Sequence, residues 1–185
     1  MSRHADLRFA PLTPHALLLA VLAMGAVVLA SNVLVQYPIN DWLTWGAFSY
    51  PVAFLVSNLI NRRFGPQAAR RVAWVGFALA VVLSVWVATP RIAVASCSAF
   101  IAAQLLDITV FDRLRRGRWW RAPMVATTCS ATLDTAIFWS IAFAGSSLPW
   151  ISWAAGDLAV KLAIGVFLLA PFRALLWKMA PLGTR

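Results

Sequence analysis

Six apolar runs of about 20 residues, separated only by short connectors, constrain this chain more than anything else in it. A helix of that length crosses the hydrocarbon core of a bilayer. A water-soluble domain of 185 residues would be left with large apolar patches exposed. The runs predict helical spans at 16–35, 43–60, 72–89, 92–111, 124–144 and 151–172. Turn residues mark the connectors: Tyr37-Pro38-Ile39-Asn40-Asp41, Arg62-Arg63-Phe64-Gly65-Pro66, Thr89-Pro90-Arg91 and Gly145-Ser146-Ser147-Leu148-Pro149. With 62% hydrophobic residues, 12% charged and a mean hydropathy of +0.78, composition leads to the same class. The expected fold is an all-α membrane protein, a single six-span domain over 1–185 set in a lipid bilayer. Arg3 and Arg8 before an apolar stretch imitate a signal peptide. Five more runs follow and no small-x-small site precedes Asn32, so an uncleaved first helix is expected.

Charge placement predicts orientation. Of the 16 Lys and Arg, all but Arg91 and Lys161 fall in the N-terminal tail, the second-to-third connector, the fourth-to-fifth connector or the C-terminal end. Lys and Arg concentrate on the cytoplasmic side of membrane proteins, so both termini are expected there. The same placement argues against nucleic-acid binding despite a formal charge of +10, because the basic residues form short clusters between apolar runs and no basic face.

Polar residues inside apolar runs carry the functional reading, since a charge at bilayer depth needs a partner or a purpose. Asp134 stands midway along the fifth run. Helical spacing places Thr127, Ser130, Ala131, Asp134 and Phe138 on one face, hydroxyls to one side of the acid and a ring to the other. Such a face suits a flat, hydrogen-bonding ligand; the alternative is a structural acid paired with a neighbouring helix. Gln104 and Asp107 share a face of the fourth run with Phe100 and Phe111. An amide that donates and accepts beside a carboxylate that accepts could read the edge of a heterocycle. Asp107 could instead pair with Arg113 or Arg116, and Asp112 belongs to the arginine cluster. In the sixth run Asp157 and Lys161 stand at i, i+4, which favours an intrahelical ion pair. Lys161 could also reach Asp134 or Asp107, as a site cation or a proton-coupling element. Asn32 and Asn58 add neutral amides to the first two runs. Most tryptophans near run ends suit interfacial belts, whereas Phe48 and Tyr50-Pro51 are notable because Pro51 breaks the backbone ladder of the second run.

Catalytic patterns are scarce, which argues against an enzyme. His4 and His15 form no zinc motif, and no G-x-S-x-G occurs. Gly156-Asp157 lacks the longer context of intramembrane aspartyl proteases. Cys97 and Cys129 lie in apolar runs without a C-x-x-C partner, so buried thiols are expected and no metal or cofactor.

Ala30-Ser31-Asn32, Phe48-Ser49-Tyr50-Pro51, Asn61-Arg62-Arg63-Phe64-Gly65 with Ala69-Arg70, Gln104-Leu105-Leu106-Asp107 and Leu133-Asp134-Thr135-Ala136-Ile137-Phe138 occur in an order that resembles the bacterial queuosine precursor transporter family, from about residue 28 to 173. The resemblance implies a six-helix carrier of the bacterial inner membrane. Its implied substrate is 7-cyano- or 7-aminomethyl-7-deazaguanine, salvaged for queuosine in tRNA. It also implies a bundle similar to the substrate-binding components of energy-coupling factor transporters. Asn58 departs from the pattern, because family members often carry an acid there. Read from these polar faces, the expected substrate-binding set is Asp134, Asp107, Gln104, Asn58, Phe100, Phe138, Ser130 and Lys161, at a centre between spans two, four, five and six. Two other readings stay open: a binding subunit that hands substrate to separate ATPase partners, and a structural membrane protein with no ligand. The exact ligand, energy source and any homo-oligomeric state are not legible.

Overall fold

A computed structural model describes residues 9–87 and 89–178. Arg3, His4, Arg8 and Arg185 lie outside the described residues. The elements run α1 (Pro14–Leu34), β1 (Pro38–Asn40), β2 (Leu43–Thr44), α2 (Gly46–Ser49), α3 (Pro51–Phe64), α4 (Pro66–Val87), α5 (Pro90–Leu114), α6 (Arg121–Phe143), α7 (Trp150–Phe167) and α8 (Leu169–Lys178).

Prolines set many of these boundaries. Pro14, Pro51, Pro66 and Pro90 are first residues of helices, where the missing N–H would have had no partner in any case. Thr13 and Thr89 cap α1 and α5, their hydroxyls accepting from the N–H groups of Ala16 at 3.2 Å and Ile92 at 3.4 Å. Pro51 also separates α2 from α3 at Tyr50. Pro171 cannot donate to the carbonyl of Phe167 four residues back, and the last helical stretch breaks there into α7 and α8.

Several expected ends shift. Residues 43–45, predicted as the start of the second span, form a strand and turn instead, and the helix begins at Gly46. The strand belongs to a short antiparallel hairpin, Pro38 opposite Thr44 and Asn40 opposite Leu43 with an irregularity between them. The helix predicted to start at 72 begins at Pro66, so Arg70 and Arg71 are helical rather than in a connector. By length and composition, three described helical stretches can cross a membrane: Pro14–Leu34, Pro90–Leu114 and Trp150–Leu176. The other rods are shorter, as α3 with 14 residues, or diluted by polar side chains, as α6.

Helices α5 and α6 pack along most of their length, α4 lies against α1, α3 and α5, and α7 against α6. A central core of Met24, Val28, Phe54, Val72, Phe100 and Ile108 joins α1, α3, α4 and α5. Large apolar side chains also face outward, among them Leu19, Val82, Val94, Ile151 and Phe167, as expected of a surface solvated by lipid.

Contacts sort the chain to two ends. At one, the Ala10 N–H donates to the Arg63 carbonyl, Phe9 lies under the Arg115 guanidinium and Arg173 lies over Trp119. Gly65 turns α3 into α4 at φ +87, and a Cβ there would stand 2.9 Å from the Phe9 ring. At the other end the hairpin sits on the first turns of α7. Trp153 Nε1 donates to the Asn40 carbonyl at 2.9 Å and Ser152 Oγ to the Asp41 carbonyl at 2.7 Å. Gly156 completes this seat, since a Cβ would lie 1.8 Å from the Trp42 carbonyl oxygen.

Candidate functional site

Helices α6 and α7 bring three charges together in the interior. Lys161 Nζ lies 2.8 Å from Asp134 Oδ2 and 2.5 Å from Asp157 Oδ2, and all three side chains are almost wholly buried. The i, i+4 spacing within α7 makes the contact with Asp157, as the sequence predicts; packing of α7 on α6 adds Asp134. Thr135 ties the group together, donating its hydroxyl to Asp157 Oδ2 at 2.8 Å and accepting from Lys161 Nζ at 3.2 Å. The Tyr50 ring lies 5.1 Å from the Lys161 ammonium, a cation–π contact at the α2–α3 break. Two carboxylates face one ammonium, so the group has a formal charge of −1. The Tyr50 hydroxyl lies beside the Asp134 carboxylate and interacts with it.

These residues line a cavity with Ser31, Asn32 and Val35 of α1, Gly46 of α2, Ser96 and Ala99 of α5 and Phe138 of α6. Its volume of about 30 Å³ admits a water or two. Chemically the wall offers carboxylate oxygens, an ammonium, hydroxyls, an amide and two rings. A polar planar ligand would meet both hydrogen-bonding partners and stacking faces.

Of the sequence-predicted residues, Asp134, Phe138 and Lys161 meet at this cavity. Gln104, Asp107, Phe100 and Ser130 are fully buried but are absent from its lining. Asn58 sits in a separate small cavity, donating to Thr127 Oγ1 at 3.2 Å. Asp107 pairs with neither Arg113 nor Arg116 in ion-pair range: Arg113, six residues on, is turned about 120° round the helix. Asp112 joins Arg115 at 2.7 Å, as expected of the arginine cluster.

Sequence reasoning gave no role to Thr135, Ser96 or the staple made by Asn61 and Arg115. Asn61 Nδ2 donates to the Ile108 carbonyl at 3.0 Å, Arg115 donates to both oxygens of Asn61, and Arg62 Nη1 donates to the Arg115 carbonyl at 2.8 Å. Burial lowers the Arg115 guanidinium's pKa from its usual value, Asp112 raises it, and Arg62 lowers it again. Its one signal in the sequence was an amide directly before Arg62-Arg63, which suggested only an interfacial connector.

The family described as "Putative vitamin uptake transporter" matches residues 44–89 and 83–176. The chain is 34% identical over 184 residues to the "Queuosine precursor transporter" of Escherichia coli (strain K12), covering 83% of this chain and 82% of that protein. It is 33% identical over 186 residues to the "Probable queuosine precursor transporter" of Haemophilus influenzae, covering 78% and 79%. The protein of the same description from Bacillus subtilis (strain 168) is 26% identical over 168 residues, covering 75% and 73%. No solved structure matches this chain.

Proposed function

This chain belongs to the vitamin uptake transporter family, and from that premise we propose that it imports queuosine precursors, 7-cyano- or 7-aminomethyl-7-deazaguanine, across the bacterial inner membrane. It acts as one six-span domain with both termini in the cytoplasm, so the arginine end faces the cytoplasm and the hairpin end faces outward. The α2–α3 and α7–α8 segments each supply one span across their proline breaks, which are tolerated where the freed backbone faces protein.

One observation carries the reading: the Asp134–Lys161–Asp157 cluster lines an interior cavity in a relative of proteins named for this cargo. Charges so far inside a helical bundle are costly even when paired as here, and they mark ligand or coupling sites. The guanine-like edge of a 7-deazaguanine carries N–H donors and a carbonyl. Asp134 accepts from the donors, Lys161 exchanges its bond to Asp134 for one to the carbonyl, and Phe138 and Tyr50 flank the ring. Asp157 and Thr135 hold the ammonium in place.

The test is queuosine in tRNA from a host that lacks both its own precursor synthesis and its own importer. The host expresses this chain and is given 7-cyano-7-deazaguanine. Queuosine returns with the unaltered chain and is lost with Asp134→Asn at equal membrane expression. Unchanged queuosine in the Asp134→Asn strain would sink the site assignment. Uptake by the purified chain in vesicles separates a self-sufficient carrier from a binding subunit that needs ATPase partners.

A further inference from the structure

A second set of buried polar groups lies on the arginine side of the cavity. Ser57 and Asn58 of α3, Gln104 and Asp107 of α5 and Ser130 of α6 are each at most 2% exposed. Ser57 Oγ, Asn58 Oδ1, both amide atoms of Gln104, both carboxylate oxygens of Asp107 and Ser130 Oγ have no hydrogen-bond partner among the described residues. Native interiors leave few such groups, and a run of them across three packed helices calls for a physical reason.

Helical rise places the set within about one helical turn in depth. Gln104 and Asp107 follow the cavity residue Ala99 along α5, Ser57 and Asn58 follow Tyr50 along α3, and Ser130 precedes Asp134 on α6. Each offset corresponds to about 6–12 Å toward the arginine end. Two hydrogen bonds tie the helices together at this depth: Asn58 to Thr127 joins α3 to α6, and Asn61 to the carbonyl of Ile108, the neighbour of Asp107, joins α3 to α5. A cavity of about 20 Å³ adjoins Asn58 and Thr127 beside the α7–α8 break. Beyond the set lies the Arg115–Asn61 staple, which closes the bundle at its arginine end.

The chemistry of the set is specific. Asp107 offers two carboxyl oxygens, Gln104 and Asn58 a carbonyl each, Gln104 a free NH2, and the two serines hydroxyls that serve either way. No Lys or Arg among the described residues is in ion-pair range of Asp107. The set therefore carries both acceptors and donors and no cation. Such a set is complementary to an uncharged flat molecule with several N–H donors and one or two acceptors.

We propose that Ser57, Asn58, Gln104, Asp107 and Ser130 form a second ligand station, between the Asp134–Lys161 cavity and the Arg115–Asn61 staple. It receives the same heterocycle after the cavity releases it toward the arginine end. This rests on the import of 7-deazaguanines proposed above. The groups stay unpartnered in the present packing because their partner is the ligand in transit.

Initial uptake of 7-cyano-7-deazaguanine into proteoliposomes tests the station, with the full chain, Asp107→Asn and Gln104→Leu, and detergent melting of each as the control for folding. Asp134→Asn, in the first site, raises KM. The station variants are expected to lower the maximal rate at least about tenfold with KM within about twofold of the unaltered chain and an unchanged melt. A rise of KM matching that of Asp134→Asn would merge the two sets into one site and overturn the proposal. Uptake unaffected in both variants, or loss of the fold in both, would make the layer structural and overturn it as well. Absence of uptake by the unaltered chain would remove the self-sufficient carrier that the station serves and overturn the proposal before any variant is compared, whereas the cargo itself is judged separately by queuosine in tRNA.

Discussion

Replacing Lys161 with methionine removes the single cation from the interior cluster while keeping the length and apolar stem of the side chain. The ammonium touches Asp134 at 2.8 Å, Asp157 at 2.5 Å and Thr135 at 3.2 Å, with only 4% of the residue exposed. Without it two buried carboxylates face each other with no compensating charge. Breaking a buried pair from one side destabilises by about 3–5 kcal/mol, and here one change breaks two pairs. For a chain of this size that corresponds to a melting midpoint lower by roughly 6–20 °C. Neutralising all three positions, as Asp134→Asn with Asp157→Asn and Lys161→Met, leaves no stranded charge and is expected to recover most of the loss, because apolar or neutral replacements of a whole buried ionic group are often tolerated. Uptake stays lost in both variants if the charges serve the ligand. Thermal unfolding in detergent, paired with vesicle uptake, reads both quantities. A Lys161→Met protein that melts within about 2 °C of the unaltered chain would refute the reasoning, since no buried cation between two acids can be removed so cheaply.

Gly156→Ala adds a methyl group 1.8 Å from the Trp42 carbonyl oxygen, so either the hairpin or α7 must shift. Overpacking of this kind costs about 1–3 kcal/mol, and because Asp157 and Lys161 ride on α7, uptake should fall along with the melting midpoint. Arg115→Lys keeps the charge but cannot reproduce the planar fork that reaches both oxygens of Asn61 and the Asp112 carboxylate. A lower melting midpoint with normal insertion is expected; an unchanged melt would show that the staple contributes nothing to closing the arginine end.

Much of the architecture was legible because it is local. Apolar runs and proline positions are properties of consecutive residues, and they mark where helices form. The facial groupings also held: Thr127, Ser130, Ala131, Asp134 and Phe138 are all buried, as are Phe100, Gln104, Asp107 and Phe111. Helical geometry alone aligns residues three and four apart. The hairpin was not legible, because Leu43-Thr44-Trp45 is as apolar as a helix start and pairs back to Tyr37-Pro38 only through the turn between them. Asn61 gave no warning of its role, since its partners Ile108 and Arg115 lie 47 and 54 positions away.

The sequence by itself determined that this is a helical chain of membrane character, that the Asp134 and Asp107 faces turn inward, and that Asp157 and Lys161 pair within one helix. Those outcomes need only the apolar content of each run and the pitch of a helix. The expected burial of both thiols failed, because Cys97 is half-buried and Cys129 is exposed. The tertiary structure decided which interior polar groups meet. It gave Lys161 to Asp134, 27 residues away, and not to Asp107, and it divided the candidate residues between a charged cavity and a neutral layer beside it. The physical reason is that helical spacing fixes directions around one axis, whereas a contact between helices depends on the depth and rotation at which the rods pack.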